Sequence, residues 1–184
     1  MPRAGEALLQ SARQLARASG GAEPGWMEQL SAFGGTDRHP AGTAVSVAFV
    51  GVIGAAAAGA ATGRGARGAE WVSVERLAGL APRQALMLEA AIAAIRARLD
   101  HSPIAFKLLP ATFTLSDLQA TYELLLGRRL HKASFRRSLQ AAYLVEPMDE
   151  WRSEGRGRPA QLYRFSPRKR RASRRGVRFE LLAS

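Results

Sequence analysis

Apolar positions recur every three or four residues in some stretches of the chain and alternate in others, and these two periods sort it into helices and strands before any chemistry is considered. Residues 6–18, EALLQSARQLARA, predict an amphipathic helix that stops at Gly20 and Gly21. Residues 27–33 and 43–53 read as strands separated by the turn-rich GGTDRHPAG, and residues 55–68 as a low-complexity Gly/Ala loop. A short strand at 70–74 and a strong helix at 84–99 follow. HSPIAFKLL, at 101–109, opens a second domain at Pro103 with a short helix.

The pattern is most ordered from Phe113 to Phe165. Thr114 or Ser116 supplies an N-cap, Gln119 stands three residues after Ser116 in capping-box position, and Gly127 suits a C-cap. Between them Leu115, Leu118, Tyr122, Leu125 and Leu126 form one apolar stripe, so this helix is there to pack. The next helix, 132–142, puts Phe135, Leu139 and Ala142 on one face and Lys132, Ser134, Arg136, Arg137 and Gln140 on the others. An apolar back with a row of phosphate and base-edge donors in front is what a helix lying in a DNA major groove requires. Residues 143–147 and 161–165 read as two antiparallel strands, joined by Gly155, Arg156, Gly157, Arg158 and Pro159. A basic loop there reaches phosphates or a minor groove beside the helix, which makes the stretch a winged helix-turn-helix.

Charge sharpens this division. The chain of 184 residues carries 27 Lys and Arg against 15 acids, a formal +12. Up to Ser102 ten basic residues face eight acidic ones, whereas seventeen face seven from Pro103 onward, which assigns a polyanionic partner to the C-terminal half. Of the 27 cations 24 are Arg, a bias shared with the abundant Ala and Gly, so the location of the charge says more than its amount. The tail SPRKRRASRRG is a basic run read either as a solvated tail or as a source of nonspecific phosphate attraction.

With no cysteine there is no disulfide framework and no thiolate metal site. His39, His101 and His131 stand alone, without a second ligand at metal spacing. The apolar run 45–61 is short and Gly/Ala-rich, a poor membrane span, and no cleavable signal pattern opens the chain, so a cytoplasmic location is expected.

The segments HSPIAFKLLP, FTLSDLQATYELLLG, KASFRRSL and GRGRPAQLYRF resemble, in this order and spacing, the winged-helix domain of Nudix-related transcriptional regulators of NAD metabolism. MEQLSAFGGTDRHPAGTAVSVAFVGVI, EWVSVERLAGL and the helix before His101 are similar to that family's Nudix domain. The resemblance implies an α+β chain: a partial Nudix-like α/β domain at 1–102, a winged helix-turn-helix at 103–167 and a basic tail at 168–184. It also implies repressors in which a Nudix domain senses an ADP-ribose-like nucleotide and the winged helix binds double-stranded DNA as a homodimer.

Three departures qualify the likeness. In the piece aligned with the Nudix box, ARQLARASG, Arg13, Leu15 and Gly20 keep their places, but the three helical Glu positions hold Gln14, Arg17 and Ala18. The earlier Glu position falls on Gly5, with Glu6 one residue out of register. Mg²⁺ takes hard anionic oxygens, and an Arg among them puts a cation where the ion would sit, so no Mg²⁺ site, no cofactor and no metal-dependent hydrolysis are expected. The chain also begins inside that box, so either the start codon is wrongly assigned or the domain is a remnant, and without the family's first strands the truncated sheet is expected to need cover, as from a second subunit. In the winged helix the family often has Asn where this chain has Ser134, and Ser lacks the bidentate reach of Asn to adenine.

Glu28, Gln29, Asp37 and Arg38 are the ligand-binding candidates implied by the resemblance, set against an ordinary salt-bridged turn. Lys132, Ser134, Arg136, Arg137 and Gln140 are expected to face the major groove, with Arg156 and Arg158 on the backbone or minor groove. The competing readings are a Nudix hydrolase acting on ADP-ribose or a related diphosphate, and a basic RNA-binding or nucleoid-associated module.

Overall fold

The computed structural model describes residues 7–34, 45–54, 71–74, 77–100, 102–153 and 158–166. They fall into two compact units, Met1–Ala94 and Ile95–Ser184.

In the first unit helix α1, Leu8–Gly20, ends where Gly21 turns left-handed at φ 78° and returns its N–H to the Arg17 carbonyl. That is the glycine stop predicted from the sequence, and it works because a residue without Cβ enters this region at no steric cost. Strands β1, Trp26–Phe33, and β2, Ser46–Val52, pair antiparallel from Trp26↔Val52 to Phe33↔Ser46, with a register slip between Gln29 and Ser31. Helix α2, Pro82–Leu99, whose last five residues belong to the second unit, begins two residues earlier than periodicity suggested, because proline at a first helical position gives up an N–H that has no partner there. Residues 71–74, expected as part of a strand, pair with no strand among the described residues. Strand period alone cannot supply a partner.

The second unit contains helix α3, Ile104–Leu108, strand β3, Thr112–Thr114, helix α4, Leu115–Leu126, helix α5, Lys132–Ala142, and strands β4, Val145–Arg152, and β5, Ala160–Phe165. The strands form one antiparallel sheet in the order β3-β5-β4. Its core is a single cluster of Leu99, Phe106, Phe113, Leu118, Tyr122, Leu130, Phe135, Leu139 and Leu144 with neighbouring small residues. Aromatic rings tie the elements together. Phe106 packs on Phe113 at 5.7 Å and on Phe165 at 4.5 Å between centroids, and Tyr122 meets Phe135 edge-on at 5.5 Å. The stripe predicted on α4 thus faces the apolar back of α5.

Three local readings change. The N-cap of α4 is Thr114, and its capping box closes with Asp117 rather than with Gln119. Strand β3 is too short to show a period and exists because β5 supplies its partner. Tyr143, expected to start a strand, instead caps α5 in the left-handed region at φ 52°, and β4 begins two residues later and runs on to Arg152.

Candidate nucleic-acid interface

Helix α5 projects what its sequence pattern promised. Phe135 and Leu139 are fully buried, while Lys132, Arg136, Arg137 and Gln140 are exposed. At about 100° per residue, the direction opposite Phe135 and Leu139 falls between Ala133 and Arg137, with Gln140 and Ala141 beside them. Arg137 therefore stands at the centre of the outer face and Arg136 nearer its edge. Ala133 and Ala141, both exposed, leave the helix backbone free to approach another surface closely. Ser134 is half-buried, and its hydroxyl lies 3.2 Å from Nδ1 of His131, the N-cap residue.

The turn before α5 adds charge and order. Arg128 and Arg129 are exposed beside Lys132. Glu123 Oε1 accepts the Leu130 N–H at 2.9 Å and the Gln119 amide at 3.0 Å, and Oε2 accepts Arg129 Nη1 at 3.1 Å. The Leu130 amide, then the Gln119 amide and, against slight desolvation, the Arg129 guanidinium hold the Glu123 carboxyl below its usual value.

The hairpin behind is anchored at its loop end, where Arg152 pairs with Ala160. Asp117, third residue of α4, accepts the Thr114 N–H at 2.8 Å and Arg152 Nη2 at 2.5 Å. Burial raises its carboxyl, but the Thr114 amide and the Arg152 guanidinium outweigh burial and leave it below the ordinary carboxylate value. Lower on the hairpin Glu146 and Arg164, register partners on β4 and β5, form a two-pronged ion pair at 3.0 and 3.2 Å. Arg158 is exposed just before β5, and Arg156 lies outside the described residues. The sequence reading overlooked Asp117, Glu123 and Arg152. The only sequence signal for them was Asp117 at the third position after Thr114.

Of the ligand candidates in the first unit, Glu28 is half-buried and Gln29 exposed on β1, while Asp37 and Arg38 lie outside the described residues. A groove of about 490 Å³ runs along α1 and the β1–β2 pair, lined by apolar side chains that include Leu15, Met27, Phe49, Ile53 and Trp71. Neither Glu28 nor Gln29 lines it. Gln14 and Arg17 are exposed on α1, and Ala18 is half-buried. Among the described residues no three His, Asp or Glu side chains cluster at metal-binding distance, and no helix is long and apolar enough to cross a membrane.

A packing helix, an outward cationic helix and a β-hairpin on one three-stranded sheet define a winged-helix DNA-binding domain. Residues 105–165 match the family model of the NrtR DNA-binding winged helix domain. Over 148 residues, 79% of this chain, the sequence is 32% identical to the ADPR responsive transcriptional repressor NtrR of Acinetobacter baylyi. The chain spans 58% of the length of that curated relative. The crystal structure of Shewanella oneidensis NrtR complexed with a 27mer DNA superposes with a TM-score of 0.71 at 26% identity, covering 91% of this chain and 77% of that one. A MutT/nudix family protein from Enterococcus faecalis shares the fold at a TM-score of 0.62 and 16% identity, covering 90% of this chain and 72% of the other. The mixed architecture of a Nudix-like part followed by a winged helix is thereby established.

Proposed function

We propose that the chain is a sequence-specific DNA-binding transcriptional repressor that works in the cytoplasm as a homodimer, with a Nudix-like domain that serves dimerisation and senses ADP-ribose or a related NAD metabolite. The observation that carries this reading is the outer face of α5, where Arg137 and Gln140 stand between two alanines above a fully buried Phe135 and Leu139. Lys132 and Arg136 flank that face toward the phosphates, Ser134 borders it, and Arg156 and Arg158 on the hairpin loop reach the backbone or minor groove. The likeness to an ADPR responsive repressor and to a DNA-bound NrtR supports both partner and effector. Glu28, Gln29, Asp37 and Arg38 are the residues proposed to meet the effector. Hydrolysis is not expected, because Gln14, Arg17 and Ala18 stand where Mg²⁺ would need carboxylates.

The test is a mobility-shift titration of the purified chain on duplex DNA from upstream of its own gene, with an unrelated duplex of equal length as control. The expected result is tighter binding to the upstream duplex by about a thousandfold or more at physiological salt, weakened by added ADP-ribose. Equal affinity for both duplexes would sink the reading.

A further inference from the structure

Leu130 lies in the turn between α4 and α5, two residues ahead of the recognition helix, and both of its main-chain groups are held by side chains of the preceding helix. Glu123 Oε1 accepts its N–H at 2.9 Å, and Gln119 Nε2 donates to its carbonyl at 3.1 Å. Gln119 also donates to that same Oε1 at 3.0 Å, so the two side chains form one closed unit around a single residue. The Leu130 side chain meanwhile is buried in the core.

We infer that Gln119 and Glu123 are positioning residues for DNA recognition, acting through Leu130 to fix the direction in which α5 leaves the turn. The inference rests on the DNA-binding reading above. Outside a helix a main-chain N–H and C=O have no built-in partners, and buried ones left unmade cost more than their bonds contribute. Here the partners come from one turn of α4, at positions four residues apart that share a face. The first helical bond of α5, from the Phe135 N–H to the His131 carbonyl at 2.9 Å, starts at the very next residue. A rotation of the Leu130 main chain is therefore passed straight to the helix axis and to Arg137 at the centre of its outer face. Base-edge contacts tolerate little misplacement, whereas contacts to phosphates by long cationic side chains tolerate much. Arg129, the third partner of Glu123, has a side chain 95% exposed and holds neither main-chain group of Leu130.

The experiment starts from a duplex selected by the wild-type chain from a randomised library, with a shuffled duplex of the same composition as control. Both are titrated well below each variant's thermal midpoint against the wild type, Glu123→Ala, Glu123→Gln and Gln119→Ala. Expected are a loss of about tenfold or more for E123A on the selected duplex with shuffled-duplex affinity within about twofold, and a smaller selective loss for Q119A. E123Q, which keeps an oxygen for the Leu130 N–H, should return to within about threefold of wild type. If E123A fails to fold, Q119A alone carries the comparison. Variants that lower the thermal midpoint yet keep wild-type discrimination overturn the inference, as does E123Q behaving like E123A. Failure of the wild type to select any sequence would instead overturn the DNA-binding reading itself.

Discussion

Arg152, at the end of β4, donates to the same Asp117 carboxylate that accepts the Thr114 N–H, so one side chain both closes the capping box of helix α4 and fastens the loop end of the hairpin. Asp117 and Arg152 are 35 residues apart in sequence, and the two side chains are each about one-third exposed. Removing Asp117 takes away the reciprocal half of the capping box together with the anchor, leaving the Thr114 hydroxyl in place, whereas removing Arg152 takes away the anchor alone. Asp117→Ala should therefore destabilise by about 1–2 kcal/mol, as for a lost capping-box bond plus a lost ion pair, and Arg152→Ala by less. Arg152→Ala should still weaken DNA binding severalfold if the hairpin reaches the backbone. Denaturant unfolding and duplex titration on both variants check this, and equal stability losses would contradict it.

Acid should loosen the same junction. The Asp117 and Glu123 carboxyls sit below their ordinary values in the folded chain. A depressed folded value means stability that is present in full above the unfolded carboxylate value of about 4 and is lost as pH falls through the lower folded one. Between pH 8 and 5 these two groups should contribute no slope. Below about pH 4 unfolding should become easier, and Asp117→Asn should flatten part of that decline. Thermal melts from pH 7 to pH 3 measure it.

Position on α5 predicts unequal roles for its two arginines. Arg137→Ala should cost about 1–3 kcal/mol on the operator and relax base preference, because it stands at the centre of the outer face. Lys132→Ala should weaken all duplexes alike and reduce the salt slope by about one. Ala133→Leu, which thickens the helix on the side that would approach the groove, should impair binding with little change in stability. Titrations at several salt concentrations separate these outcomes.

The left-handed Tyr143 carries a strain that no glycine relieves. Its side chain is 54% exposed, so replacement by Gly removes little packing while lifting a penalty of about 1 kcal/mol for a residue with a Cβ in that region. Tyr143→Gly should leave stability unchanged or raise it by up to about 1 kcal/mol, as read by chemical denaturation. By contrast Phe135→Ala, at a site with no exposure and an edge-on partner in Tyr122, should cost about 3–5 kcal/mol and unfold the recognition helix with its domain.

Much of the second unit could be read directly. The stripe from Leu115 to Leu126, the stop at Gly127 and the split of α5 into an apolar back and a cationic front are periodic features that a helix displays without help from the rest of the chain. The boundaries of α5 coincide with those expected. Its N-cap His131 forms no side-chain cap bond, so periodicity rather than capping chemistry located it. Thr112–Thr114 and the reach of β4 to Arg152 escaped because three residues have no period and a strand's length depends on its neighbour. Asp37, Arg38 and Arg156 lie outside the described residues, so the proposals that involve them rest on sequence and resemblance.

The amino-acid order by itself determined which faces are greasy and which are cationic, since these follow from spacing at 3.6 residues per turn. Tertiary structure alone decided which distant polar groups meet. Asp117 met Arg152 rather than solvent, and Glu123 and Gln119 closed on Leu130 rather than on each other only, because hydrogen bonds across a fold need two segments to arrive at one place and burial makes an unmet donor costly.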